Sequence, residues 1–415
     1  MILGIELASA IASAWEDIRL LLEEGAATFE GRLLLLLRKL EAAPDDQHAI
    51  NQILALFGEY PQAQARLQQA VSDLQPSKGI KAGATFIPHD RYTVVPVLYG
   101  TDRAESGDRE PNAWYGSGRG ELAYGVAEVS IPDDHKMGAL EKPSLWKLQF
   151  REDPDKHVVV QRLEPLAAGG FVARGRTGLG AAGKKEVLIF VHGYNVGFAD
   201  ALRRTAQIAY DLHFDGLPVL YSWPSEGTTP SYTVDETNVM WARPHFRTFI
   251  DLVRTEFNAD CVHMLAHSMG SRLVTETLAA GPQAGPGQAH LRQLVFAAPD
   301  IDAATFKDLA TAFQAGAERC TLYASSRDKA LVASRLIHKY PRAGESGLGL
   351  VVMKSVATID ASALDTSLLG HSYYGDNRSV LTDLFDLIRR GTLPGDRFGL
   401  VPREQSGLRY WLFRS

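Results

Sequence analysis

Cysteine is scarce in this sequence. Two residues in 415, Cys261 and Cys320, offer no disulfide framework and no cysteine-based metal cluster. Both stand at the starts of expected strands and read as buried free thiols. Long apolar runs are also missing. No stretch approaches the roughly 18 uncharged apolar residues of a membrane span, and the leucine run Leu33–Leu37 is far too short. The apolar N-terminus has no Lys or Arg ahead of its apolar part. Glu6 and Glu16 break it and its apolar spacing is helical, so a packed helix is expected there rather than a signal peptide. A cytoplasmic location is the default expectation. There is no basic excess either: the net charge of −6 argues against a nucleic-acid partner. What the chain does have is 45% hydrophobic and 22% charged residues, enough for a large core in two or three domains.

Residues 1–75 carry helical stripes such as Leu7, Ile11, Ile18, Leu21 and Leu22, then Phe29, Leu33, Leu37 and Leu40. A small helical bundle is expected, packed on its own catalytic domain or serving as a docking module for a protein partner. Residues 76–91 read as a linker. Residues 92–183 read as a β-rich lead-in, with strands at Tyr92–Tyr99, Tyr124–Ile131 and His157–Leu163. Gly100–Arg103 is expected to turn out of the first of these. Trp114, Tyr115 and Trp146 fit core positions. The Gly-rich stretch Ala167–Gly183 contains a formal GxGxxG at Gly178–Gly183. A strand follows it where a dinucleotide site needs a helix, so it reads as a chance match in a linker or strand connection.

From residue 184 to 395 apolar strands alternate with amphipathic helices. That pattern predicts an α/β fold, a mostly parallel sheet with helices on both faces. Functional loops then lie at the carboxyl ends of the strands. Residues 396–415 read as a C-terminal tail.

The chemistry concentrates in Cys261–Gly270. An apolar strand leads into Ala266-His267-Ser268-Met269-Gly270, and a helical pattern runs from Ser271 to Ala280. Small residues two before and two after Ser268 let a strand and a helix nearly touch, as a nucleophile elbow requires. A serine hydroxyl needs a base held by a carboxylate. His371, in the loop after the last strand and before the final helix, is the expected base. Asp328, after the strand Thr321–Ala324, is the expected acid, with Asp300 and Asp302 as alternatives; each also fits a helix N-cap. Oxyanion donors are expected at the amides of Met269 and of Tyr194, the latter in His192-Gly193-Tyr194-Asn195 after the strand Val187–Val191. His192 reads as a structural hydrogen-bonder. No metal and no organic cofactor is needed for this chemistry.

FVHGYN (Phe190–Asn195), SWPSEG (Ser222–Gly227), AHSMGSRL (Ala266–Leu273), the Asp328 segment, GHSYY (Gly370–Tyr374) and the leading VLYGTDR (Val97–Arg103) occur in order. Together they resemble a bacterial α/β-hydrolase group known as domain of unknown function 900, over roughly residues 92–390. The resemblance implies an α/β-hydrolase fold with Ser268, Asp328 and His371 as the triad; the expectation of a small-molecule or lipid-like acyl substrate comes from that chemistry. The resemblance implies no particular substrate and does not extend to residues 1–75. The expected function is hydrolysis of an ester or related acyl bond. The alternative is a non-catalytic or partner-regulated scaffold of the same fold, with the N-terminal bundle mediating protein–protein interaction.

Overall fold

The computed structural model describes residues 86–142, 152–226, 232–281, 288–347, 349–364 and 378–414, which fall in a compact unit spanning Ala82–Ser415. The expected helices of residues 1–75, most of the expected linker, Trp146 and His371 lie outside the described residues.

The strands are β1 (Ile87–Pro88), β2 (Tyr92–Glu105), β3 (Tyr115–Pro132), β4 (Val159–Leu166), β5 (Glu186–Val191), β6 (Leu217–Ser222), β7 (Cys261–His267), β8 (His290–Ala297), β9 (Ala317–Ala324), β10 (Val356–Asp360), β11 (Leu400–Gln405) and β12 (Leu408–Phe413). The helices are α1 (Ala168–Ala181), α2 (Phe198–Asp211), α3 (Tyr232–Trp241), α4 (Arg243–Glu256), α5 (Gly270–Ala280), α6 (Ala303–Ala315), α7 (Lys329–His338) and α8 (Arg378–Phe385), the last continued by a π-helical turn at Asp386–Arg390. One 12-stranded sheet runs in the order β11-β12-β10-β9-β8-β7-β5-β6-β2-β3-β4, with β1 added antiparallel to β2. From β2 to β12 neighbouring strands are parallel, whereas β3, β4 and β11 join antiparallel.

The central strands are mostly apolar because both faces are covered, with Glu186 and His263 as buried exceptions. All of β5 and β7 is buried. On one face Leu188, Phe190, Leu265 and Val295 pack with α2 residues such as Leu202 and Ile208. On the other, Val187, Ile189, Met264 and Phe296 pack with Phe249, Leu273 and Phe306 of α4, α5 and α6. Tyr115 belongs to the first core, as expected, with Trp114 packed against it. Both cysteines are free and buried.

Three expectations need correction for identifiable physical reasons. The Gly-rich stretch does connect two strands, β4 and β5, but as the helix α1 inside the expected β-rich lead-in. Its Gly175 is required by packing, since a Cβ there would stand 2.6 Å from the Phe257 ring. The contact with Phe257 offsets part of the conformational cost of glycine in a helix. Gly100–Arg103 does not turn out of the sheet. It stays in β2, which bends through register shifts at Thr101/Arg103 and Arg103/Glu105 against β3. Residues 396–415 supply a hairpin rather than a tail. Ser406 (φ 53°) and Gly407 (φ 78°) both have positive φ, the backbone of a two-residue hairpin turn between β11 and β12. The expected strand Leu350–Ile359 is shorter, beginning only at Val356.

Candidate active site

The loop after β7 is built by close approach of backbones. Ser268, between β7 and α5, has φ 50°, a conformation costing a non-glycine residue roughly 1–2 kcal/mol. Three hydrogen bonds hold it there: its N–H donates to the Ala297 carbonyl (3.0 Å), and its own carbonyl accepts from the Ser271 (3.0 Å) and Asp300 (3.1 Å) amides. Ser268 is 1% exposed. Met269 is the N-cap residue of α5, so the positive end of that helix lies beside the serine. A Cβ on Gly270 would stand 2.3 Å from the His192 carbonyl oxygen. One on Gly193 would stand 2.6 Å from Ser268 Cβ and 2.7 Å from His267 Nδ1. The two glycines therefore let the loop after β5, with Tyr194, run directly against Ser268. Ala298, just after β8, also has positive φ (48°), so strained backbone gathers at this end of the sheet.

His192 is a structural residue, as its sequence context suggested. Its Nδ1 is 2.8 Å from the Gly193 carbonyl and its Nε2 3.0 Å from Ser222 Oγ. The ring stacks on Trp223, whose Nε1 donates to the His192 carbonyl (2.8 Å). Burial and the neighbouring Arg103 charge push its pKa down to about 3, so the ring is neutral.

Arg103 and Asp235 are the organisers that the sequence did not single out. Arg103 is 2% exposed. It donates from Nε to Ser222 Oγ (2.9 Å), from Nη1 to the carbonyls of Gly116 (3.1 Å) and Ser225 (2.9 Å), and from Nη2 to that of Val196 (2.6 Å). Asp235 accepts from Ser225 Oγ (2.5 Å) and from the amides of Glu226 (2.9 Å) and Asn195 (3.3 Å). Together they tie β2, the start of β3 and the loops after β5 and β6 into one frame. Arg103 lay in plain view in VLYGTDR, but nothing in a single sequence shows that an arginine is buried.

The candidate acids have different surroundings. Asp328 follows β9 and is fully buried; its Oδ1 caps α7, accepting from the amides of Ala330 (3.0 Å) and Leu331 (3.1 Å). Asp300 Oδ1 accepts from Arg342 Nε (2.7 Å) and Ser334 Oγ (2.6 Å), and Oδ2 from the Tyr232 hydroxyl (2.6 Å). Burial pushes the Asp300 pKa up, but Arg342 and the two hydroxyls outweigh it and hold it below the usual carboxylate range. Asp302 caps α6, accepting from the Thr305 amide (2.8 Å) and hydroxyl (3.0 Å). His371 lies outside the described residues. Beside this loop system is a cavity of about 340 Å³ lined by Leu140, Phe190, Tyr194, Val196, Arg204 and His267, among others.

A mixed parallel and antiparallel sheet flanked by helices, with a serine on a sharp turn at the carboxyl end of a central strand, defines an α/β-hydrolase-like protein. The chain belongs to the family described as "Alpha/beta hydrolase of unknown function (DUF900)", which matches residues 176–390. It is 29% identical over 119 residues to the "Uncharacterized protein alr1448" of Nostoc sp., a match covering 23% of this chain and 31% of that one. The chain thus spans about a third of the length of that curated relative. Among solved structures it is similar to MenH from S. aureus (12% identity, TM-score 0.28, covering 50% of this chain and 93% of that one). It is also similar to esterase B from Lactobacillus rhamnosis (9% identity, TM-score 0.32, covering 86% and 94%). Among the described residues no helix is long and apolar enough to cross a membrane.

Proposed function

We propose that this protein is a serine hydrolase that cleaves an ester or related acyl bond. The observation that carries the reading is Ser268 at φ 50° between β7 and α5, which supports a nucleophile elbow there. In this reading His371 takes the Ser268 proton and Asp328 orients the imidazole. Ser268 Oγ attacks the acyl carbon, and the amides of Met269 and Tyr194 hold the oxyanion. His371 then protonates the leaving alcohol, and water deprotonated by His371 releases the acid. The close packing of Gly193 against Ser268 supports the Tyr194 assignment. The position of Asp328 after β9, two strands from β7, supports the choice of acid. The cavity beside Tyr194 and His267 is the proposed seat of the acyl group. A small-molecule or lipid-like acyl compound, a cytoplasmic setting and partner docking through residues 1–75 complete the proposal.

The test is labelling with a fluorophosphonate probe and mapping of the modified residue, on wild type, Ser268→Ala and His371→Ala. Label on Ser268 that is lost in both variants supports the reading. A folded wild-type protein that takes no label sinks it.

A further inference from the structure

At the amino ends of β5 and β7, three side chains of ligand chemistry converge. With a rise of about 3.3 Å per residue, the strand separates them from Ser268 by roughly 20 Å. Glu186 and Cys261 are register partners across the two strands, and His263 lies two residues beyond Cys261. All three therefore project from the same sheet face. His263 Nε2 stands 3.6 Å from Cys261 Sγ and 3.5 Å from Glu186 Oε2. The three ligand atoms lie within 4.8 Å of one another. Cys261 and His263 are fully buried, and Glu186 is 6% exposed.

The Cys261–His263 separation is within reach of a sulfur hydrogen bond, and the His263–Glu186 one is long for an N–H···O bond. Both are the separations of atoms sharing a metal ion. Ligands at about 2.0–2.3 Å from a tetrahedral zinc stand roughly 3.3–3.6 Å apart. The polar atoms here are also short of protein partners. Glu186 Oε2, His263 Nδ1 and both amide atoms of Gln293 are buried without a hydrogen bond. Gln293, 1% exposed, is the register partner of His263 on β8, so its amide projects from the same face and offers a further ligand oxygen. The surroundings fix the ligands. Arg292 Nη1 donates to Glu186 Oε1 (2.7 Å), which leaves Oε2 turned toward His263. The Phe214 ring meets the His263 imidazole edge to face at 6.1 Å. A thiolate, a carboxylate and a neutral imidazole sum to two negative charges, which a divalent cation cancels where an unpaired charge would be costly.

We propose that Glu186, Cys261 and His263 bind a divalent transition-metal ion of the zinc type, pinning β5 to β7 at the end of the sheet remote from Ser268. Binding forms a metal–sulfur bond and breaks the Cys261 S–H bond. One proton goes to solvent, and no electron is transferred. The ligand set joins a soft thiolate to an imidazole nitrogen and a carboxylate oxygen, which suits zinc and cobalt rather than magnesium or calcium. Cys-x-His along one strand plus a distant Glu is not a spacing that sequence reading finds, and only the strand register brings the three together.

The test is titration of the chelator-treated full-length protein with cobalt(II). The expected result is one equivalent bound, a thiolate-to-cobalt charge-transfer band in the near ultraviolet, release of one proton and a raised melting temperature. Zinc should displace the cobalt. Cys261→Ser and His263→Gln should each remove the band, and Cys320→Ser, whose thiol is buried elsewhere, should keep it. No band in a folded wild-type protein, or one that persists in Cys261→Ser, overturns the proposal. Melting curves for each variant report folding separately from metal binding.

Discussion

Gly270 and the His192 carbonyl approach so closely that a Cβ on the glycine would lie 2.3 Å from the oxygen. The first turn of α5 and the loop after β5 are thereby locked backbone to backbone around Ser268. Gly270→Ala should force them apart. We expect a loss of about 1–3 kcal/mol of stability together with loss of fluorophosphonate labelling. Gly180→Ala is the control. Gly180 lies in α1 with open space where its Cβ would be, so the change should stabilise by about 0.5–1 kcal/mol and leave labelling intact. Thermal melts and labelling on the same samples check both.

Asp328 has two roles in the proposed site, cap and acid, and they can be separated. Asn caps a helix about as well as Asp, so Asp328→Asn should keep α7 and remove only the negative charge. We expect esterase turnover to fall by about 10²–10⁴ with the melting temperature nearly unchanged. Asp328→Ala should add about 1 kcal/mol of destabilisation from the lost cap. Unchanged turnover in the Asn variant would remove Asp328 from the mechanism.

Asp300 should behave differently. Its carboxylate is engaged by Arg342, Ser334 and Tyr232, so Arg342→Ala strands a buried charge and should cost about 3–5 kcal/mol. Asp300→Asn should lower the melting temperature while labelling per folded molecule persists. Because the Asp300 pKa is held low, its contribution is present above the unfolded carboxylate pKa and is lost as pH falls toward the folded value. The stability gap between wild type and Asp300→Asn should therefore narrow in acid.

A second titration runs the opposite way. His135 is buried between Asp211 (2.9 Å) and Glu141 (2.8 Å). Burial works against its charge, but the two carboxylates outweigh it and raise the pKa to about 9. Its stabilisation is complete below about pH 6.5, the unfolded value, and disappears as pH rises through about 9. Wild type should lose up to about 3 kcal/mol across that window by this group alone, and His135→Gln should not. Melting temperatures at both ends of the range decide it.

The sequence was most readable where one physical signal dominates. β5 and β7 are dominated by apolar residues because both faces are buried, and Ala266 and Gly270 announce the tight turn around Ser268. Reading failed where a residue's ordinary preference is overridden by something distant in the chain. Gly175 looks like a helix breaker until Phe257 is set against it. Arg103 looks like a turn residue until the carbonyls of Gly116, Val196 and Ser225 are brought to its guanidinium. Leu400–Gln405 and Leu408–Phe413 show no clear strand alternation, and only β10 gives them a sheet to join. The candidate acids show the same limit, since a capping aspartate and a catalytic one look identical until their partners are in view.

Among the described residues, the sheet's outermost strands are β4 and β11, and both are poor templates for strand addition. Arg162 and Pro165 are exposed on β4, and Pro402, Arg403 and Glu404 are exposed on β11. Proline withholds an amide from any incoming strand, and the charges resist dehydration, so neither edge invites a second chain to continue the ladder. A sheet this wide therefore resists polymerising edge to edge at high concentration, and copies of this unit that do associate must meet through side chains rather than through backbone.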